Sequence, residues 1–324
     1  MPENKKYVIL AGSGRSGTTW LGSILDSYEK AEYFYEICHY PELGFTTPEL
    51  LKIKNPYTFR LPHRPVWVRR GERAILETQV KYGFRANEAA RSLRLNKDYG
   101  FRKTAPDTYL FKIVRLLWFC EKLDDLKQVL GDNLKIIHLI RNPFSQLASE
   151  LRQHAGNAEA AEKRYRERVE YVLKNPAFSG FHGLAEEYAG AGWPEHMVLL
   201  WWVSNELMLK ATSMPMIRVV YEDLCVEPEA EVRRIFDFLG WTVSEQTLRH
   251  LKNTTSVTAS ERGEWSIKKN SEESMTRWRK ELSEDLYRRI SAMVSRCSFL
   301  ELWRGRDLTA ASKADLKAVS NKLP

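Results

Sequence analysis

The apolar run YVILAG (7–12) is short and continuous and ends in the glycine-rich turn GSGRSG. Trp20, Leu21, Ile24 and Leu25 then recur at helical spacing, so the segment reads as strand, loop and helix. EYFYE (32–36) follows about one helix length later and reads as a second strand, as a βαβ crossover requires. YLFKIV (109–114) is either a strand or the start of a helix, and LLWFCEKLDDLKQVL continues as amphipathic helix. KIIHLI (135–140) is the clearest further strand; Arg141-Asn142-Pro143 ends it, and the helical FSQLASELRQ follows. Helices are expected over 158–174 and 195–212, and a strand over MIRVVYEDL (216–224). Pro228 opens the helix EAEVRRIFDFLG and Gly240 closes it, which is sound start and stop chemistry. An exposed polar stretch (253–275) precedes a last helix, RWRKELSEDLYRRISAMV, and 307–324 is a polar tail. Strands alternating with helices predict an α/β fold, with a central, mainly parallel sheet covered by helices on both faces. A single domain over 1–306 is expected, in which the proline-, arginine- and aromatic-rich stretch 40–103 forms an irregular insertion, read as a lid.

Composition narrows the function. The chain has 324 residues, 43% of them hydrophobic, enough for a substantial core, and no apolar run long enough to span a bilayer. Its start is charged and runs directly into a strand, so it reads as neither secretory signal nor anchor. Cys38, Cys120, Cys225 and Cys297 are far apart, without CxxC or Cys/His pairing, so free thiols are expected and a metal site is not. The ten tryptophans are many for this length, and some are expected to line a site. Net charge is +8, and the segment from Arg60 to Lys103 alone holds twelve Lys/Arg against four Asp/Glu. Such a patch suits an anionic ligand, whether nucleic acid, charged glycan or nucleotide, or it is simply a solvated basic face. It carries no zinc-finger or evident RNA-binding pattern, which argues against nucleic-acid recognition.

The candidate chemistry lies in Gly12-Ser13-Gly14-Arg15-Ser16-Gly17-Thr18-Thr19. A glycine-rich loop between strand and helix turns backbone N–H groups toward an anion. The spacing from Gly12 to Gly17 matches a P-loop, but Thr18 stands where a nucleotide triphosphatase places its lysine. KIIHLI leads into Arg141 instead of an acidic metal ligand, so loop and strand agree on an anion bound without metal and argue against a P-loop kinase or triphosphatase. Arg15 inside the loop places a guanidinium where charge builds on a leaving group.

In these residues the loop resembles the 5′-phosphosulfate motif of sulfotransferases that use 3′-phosphoadenosine 5′-phosphosulfate (PAPS). Arg141-Asn142-Pro143 with Ser149 resembles their 3′-phosphate motif. LFKIVRLL, VVYEDL, Lys269-Asn270-Ser271 and Trp278-Arg279 are similar to the carbohydrate branch that modifies hexosamine or galactose 6-hydroxyls. The likeness covers roughly 10–40 and 108–300; the insertion at 40–103 aligns with nothing in the family, and Ile37 stands where the branch has proline.

The resemblance implies transfer of a sulfo group from PAPS to a hydroxyl, with 3′-phosphoadenosine 5′-phosphate (PAP) as product and no metal. Gly14, Arg15, Ser16, Gly17, Thr18 and Thr19 are then the loop's donor contacts, and Arg141 and Ser149 hold the 3′-phosphate. Trp20 is implied to stack on adenine, its alternative being a core position, and Tyr221 also faces adenine. Glu36, after Tyr35, is implied as the general base, with His39 the competing candidate. Lys112 and Arg115 face the sulfo group or acceptor, unless they are a helix-face pair, and Lys103 and Lys269 are further anion contacts. The expected acceptor is a carbohydrate, already anionic if the basic insertion meets it; a lipid or a small phenolic or alcohol acceptor is the alternative. The initial methionine close to the first strand favours a cytoplasmic enzyme over a Golgi-lumenal domain without its anchor.

Overall fold

The computed structural model describes residues 6–34, 101, 103–105, 107–114, 116–121, 123, 127, 133–211, 214–255 and 271–303. Five parallel strands form its sheet: β1 (Lys6–Gly12), β2 (Ala31–Phe34), β3 (Thr108–Ile113), β4 (Leu134–Ile140) and β5 (Met216–Val220), in the order β2-β3-β1-β4-β5. Strands of a parallel sheet are covered on both faces and so read as continuous apolar runs instead of alternating ones. That is why YVILAG and KIIHLI were legible, and β1 is buried from Tyr7 to Gly12. The ambiguous YLFKIV resolves as strand β3, paired on both edges, with Lys6 opposite Thr108 and Ala31 opposite Thr108.

Alternation along each strand divides the core. Val8 and Leu10 of β1, Leu110 of β3 and Leu139 of β4 pack against α1 (Thr18–Asp26) and against Ile235 and Phe236. Tyr7, Ile9 and Phe111 face the other way, toward Leu116, Phe119 and Met208. A third cluster packs α3 (Pro143–His154), α4 (Ala158–Lys174) and α6 (Trp193–Lys210) beside the carboxyl ends of β4 and β5; α2 is Leu116–Glu121 and α5 is His182–Glu187. The result is the three-layer α/β architecture expected of the sequence. None of the described helices is long and apolar enough to cross a membrane.

Three boundaries differ from expectation. Strand β5 stops at Val220, and YEDLCV is helix α7 (Tyr221–Val226), with Glu222 and Asp223 in its first turn, where acidic side chains suit the helix dipole. After α8 (Pro228–Leu239), closed by Gly240 at φ 73°, the chain forms α9 (Glu245–Thr255), so residues 253–255 are helix and not exposed polar coil. Helix α10 (Ser271–Thr276) begins in the stretch expected to be polar coil, and the expected last helix is two, α11 (Trp278–Glu281) and α12 (Glu284–Val294). Ser283 breaks the run by capping α12, its hydroxyl accepting the Leu286 N–H. The expectation that some tryptophans line a site also fails where burial is described: Trp20, Trp193, Trp201, Trp202, Trp241, Trp278 and Trp303 are all core residues. Cys225 and Cys297 are buried free thiols and Cys120 is a partly buried one, while Cys38 and the insertion 40–100 lie outside the described residues.

Candidate active site

In an open parallel sheet, ligands gather beyond the carboxyl ends of the strands where the chain's direction of travel reverses. Here that point lies between the neighbours β1 and β4, because the chain leaves β1 toward β2 on one side and reaches β4 on the other. The glycine-rich loop follows β1, and Arg141 follows β4.

Crowding dictates the loop's glycines. A Cβ on Gly12 would lie 2.6 Å from Ser16 Oγ and 2.9 Å from the Leu139 carbonyl oxygen. Gly17 has φ 100° and caps α1, and a Cβ there would lie 2.5 Å from a ring carbon of Tyr221. Arg15 itself takes a left-handed φ of 65°, a conformation that costs a non-glycine residue about 1–2 kcal/mol. Its carbonyl and side chain are both engaged: Arg141 Nη1 donates to Arg15 O at 2.9 Å, and Arg15 Nε donates to Ser149 Oγ at 2.9 Å.

Arg141 binds these parts together. Its second Nη donates to the Ser274 carbonyl at 2.9 Å, and its guanidinium lies 4.4 Å above the Tyr221 ring centroid. The turn beneath it is fixed by Asn142, which caps α3 by accepting the Phe144 N–H at 2.9 Å, with Pro143 at the first helical position. Glu222 accepts the Asn142 N–H and the Trp303 indole N–H; burial pushes its carboxyl pKa up, and the Arg141 charge opposes that shift. Helix α3 turns an unusually polar buried face to the loop. Gln146 Nε2 donates to the Gly14 carbonyl at 2.7 Å, and Glu150 lies beside Gly14 and pairs with His154 at 3.4 Å. Burial pushes the Glu150 pKa up, but the His154 hydrogen bond and the Arg15, His154 and Arg168 charges bring it below the ordinary carboxylate value.

Three buried polar atoms at this point have no protein partner: Ser16 Oγ, Arg141 Nε and Gln146 Oε1. A buried donor without a partner costs free energy, and two of these three can donate. Donors left over around a glycine loop at a helix start fit an anionic ligand. The sequence of the chain matches the sulfotransferase domain family over residues 5–297. It belongs to that family.

Several solved sulfotransferases are similar to the chain at low identity. A sulfotransferase from Alicyclobacillus acidocaldarius is 14% identical, with 99% of this chain and 97% of that chain covered at a TM-score of 0.47. A mouse sulfotransferase complexed with PAP is 13% identical, covering 98% and 89% at 0.44. The sulfotransferase domain from the curacin biosynthetic pathway is 15% identical, covering 90% and 98% at 0.45. No curated protein matches the chain. With identities this low, membership rests on the domain match. Enzymes of this family transfer a sulfo group from PAPS, and the unpaired donors of Ser16 and Arg141 suit the phosphates of such a donor. No cluster of metal-binding side chains occurs among the described residues.

Of the residues singled out in the sequence, the sulfotransferase structure brings Gly14, Arg15, Ser16, Gly17, Thr18, Thr19, Arg141 and Ser149 together. Lys112, on the β3 face turned to α1, is buried and donates to Thr19 Oγ1 at 2.8 Å, so it supports the loop from behind. Three others have protein contacts of their own. Trp20 is 1% exposed and donates its indole N–H to Thr254 Oγ1, so in this structure it sits in the core. Tyr221 is fully buried between Gly17, Trp20 and Arg141, so it braces the loop. Lys103 donates to the Asp26 carboxylate at 2.7 Å and to the carbonyls of Asp26 and Tyr28, which commits it to the far end of α1. Glu36, His39, Arg115 and Lys269 lie outside the described residues. Sequence reasoning missed Gln146 and Glu150, although Asn142, Ser145, Gln146, Ser149 and Glu150 recur at helical spacing, a polar stripe no surface helix needs to turn inward.

Proposed function

We propose that this sulfotransferase moves the sulfo group of PAPS to a carbohydrate hydroxyl, with Glu36 as general base. The joined arrangement of Arg15, Ser149 and Arg141 around unpaired buried donors is the observation that carries the donor side of this reading. The loop N–H groups and the Ser16 hydroxyl hold the 5′-phosphosulfate, and Arg15 follows the charge that builds on the departing phosphate oxygen. Arg141 and Ser149 take the 3′-phosphate. In the transfer, the acceptor oxygen forms its bond to sulfur as the sulfur–oxygen bond to phosphate breaks. The acceptor proton goes to Glu36, and PAP leaves with the bonding electron pair. Such a reaction depends chiefly on positioning and on charge placed in advance.

Support for Glu36 is its place in the sequence. Strand β2 is described to Phe34, which pairs with Phe111, the residue before Lys112, and Glu36 stands two positions further along the chain. Support for a carbohydrate acceptor is the likeness of Tyr35-Glu36, LFKIVRLL and Trp278-Arg279 to the carbohydrate branch, and the excess basic charge from Arg60 to Lys103 suits an anionic glycan.

Labelled sulfo transfer from PAPS to a panel of neutral and anionic hexosamine and galactose glycans, fatty alcohols and phenols tests the acceptor. Turnover on the glycans is expected; turnover confined to alcohols or phenols overturns the carbohydrate assignment. Glu36→Gln is expected to abolish transfer while PAP binding is retained. Undiminished turnover in that variant removes Glu36 from the role and makes His39 the next residue to replace.

A further inference from the structure

The reaction proposed above gives no work to Glu150. A carboxylate pressed against a loop that binds anions is a like charge to the ligand, and this one is 7% exposed. Its Oε1 lies 3.4 Å from where a Cβ on Gly14 would stand. With Gln146 on the Gly14 carbonyl and Ser149 on Arg15 Nε, it completes a grip of three α3 side chains on Gly14 and Arg15. Its Oε2 faces His154 Nε2 at 3.4 Å, one turn further along α3. The same His154 nitrogen lies 3.5 Å from Nη1 of Arg164 on α4. These two neighbours make opposite demands. A carboxylate oxygen needs Nε2 to carry a proton, whereas a guanidinium N–H needs its lone pair. Nε2 satisfies one of them at a time, so the proton on it decides whether His154 belongs to Glu150 or to Arg164. The pair is enclosed. The Tyr165 hydroxyl of α4 donates to Glu150, Arg15 of the loop and Arg168 of α4 bring charge to it, and the Tyr165 and Trp193 rings meet the imidazole edge-on.

We propose that Glu150 is a positioning residue of the phosphate loop and that His154 sets the pull on it, so that an anionic nucleotide arriving at the loop draws a proton onto His154. This rests on the PAPS reading of the loop. With Nε2 unprotonated, Nδ1 carries the ring hydrogen, Nε2 accepts from Arg164, and the full carboxylate charge bears on Gly14 and Arg15. With Nε2 protonated from solvent, the imidazolium donates to Glu150 Oε2 and offsets the carboxylate as the phosphosulfate charge comes in. The sign follows by reciprocity: a ligand anion stabilises the imidazolium, so protonation tightens the ligand by the same factor. Donor affinity therefore rises as pH falls through the range in which histidine changes charge, about pH 8 to about pH 5.

Calorimetric titration of PAP between about pH 6 and about pH 8, in two buffers of different protonation enthalpy, gives both the affinity and the number of protons taken up. It is applied to the wild type, His154→Gln, Glu150→Gln and Arg164→Gln. The phosphates of PAP titrate in the same range, so the reading is the difference between proteins. From the higher pH to the lower, the wild type should gain about fivefold more PAP affinity than His154→Gln or Glu150→Gln, and take up more protons than either. Arg164→Gln, at a partly exposed position, removes the competitor for Nε2 and should carry the profile to higher pH. A side chain that only fills space would move affinity alike at every pH. The inference is overturned if the wild type and His154→Gln share one profile and one proton count, or if Arg164→Gln leaves the wild-type profile in place. A wild type that does not bind PAP overturns the PAPS reading, and this inference with it.

Discussion

Replacing Ser16 by alanine should make the free protein more stable and the liganded protein less so. The Ser16 hydroxyl is buried, at 1% exposure, and has no protein partner. An unsatisfied buried polar group costs about 1–3 kcal/mol, and its removal leaves only a small void, so a net gain of about 1 kcal/mol is expected. For a chain of this length that raises the melting temperature by about 1–2 °C. On the proposed reading the same hydroxyl donates to a phosphate in the complex, and losing a hydrogen bond to a charged group costs about 1.5–3 kcal/mol, so PAP affinity should fall about tenfold to a hundredfold. At PAP about 100 times the wild-type Kd, the wild type gains about 2.7 kcal/mol, whereas a variant binding about 30-fold more weakly gains about 0.9 kcal/mol. The order of stability therefore reverses, by about 1 kcal/mol, when ligand is added. Thermal unfolding of both proteins with and without PAP reads this directly. A variant less stable than wild type when free, or equally stabilised by PAP, refutes the view that Ser16 is kept for its ligand at the expense of the fold.

Gly17→Ala should be far more damaging, because strain at φ 100° adds to overlap with the Tyr221 ring. Left-handed strain and overpacking together amount to about 2–5 kcal/mol, visible in urea unfolding, and a loss under about 1 kcal/mol would show that the ring yields freely. Lys103→Met breaks a buried ion pair and should cost about 3–5 kcal/mol of stability without changing acceptor preference; a selective loss of one acceptor would return Lys103 to the substrate. His138, buried against Asn205 Oδ1 at 3.0 Å, has its pKa lowered to about 4, first by burial and with the Arg218 charge adding to it. Its stabilising contribution is present above its unfolded pKa and lost as pH falls toward the folded one. Wild type should therefore lose about 2 kcal/mol relative to His138→Gln between about pH 7 and about pH 4.5, and parallel stability profiles would contradict this.

The sheet was legible because parallel strands must be apolar on both faces, and the helix 158–174 was read to the residue because Asn157 caps a charged, periodic run. The glycine-rich loop was legible because Gly12 and Gly17 stand where a Cβ would collide, so glycine marks both positions in the sequence. What escaped was tertiary. MIRVVYEDL looks continuous as a strand, but the chain turns helical at Tyr221, whose ring packs against Gly17, about two hundred residues earlier in the chain. Trp20 suits a ligand face or a core equally well by spacing, and its hydrogen bond to Thr254 is to a helix not foreseen. The cap at Ser283 was missed because the apolar rhythm continues on either side of it.

The central position of β1 has a consequence for how the protein is made. Its partners are Thr108–Ile113 and Leu134–Ile140, and the Arg141 clasp on the loop also reaches Ser274, so the earliest strand synthesised is paired only by late-arriving chain. At ribosomal speeds of about 5–20 residues per second, Tyr7 waits roughly 6–25 s for Leu134 to emerge. Both edges of this apolar segment stay open until β3 emerges and one stays open until β4 follows, in a topology that already folds slowly. Yield of the native enzyme should therefore depend on translation rate and chaperone supply more than the stability of the finished fold suggests.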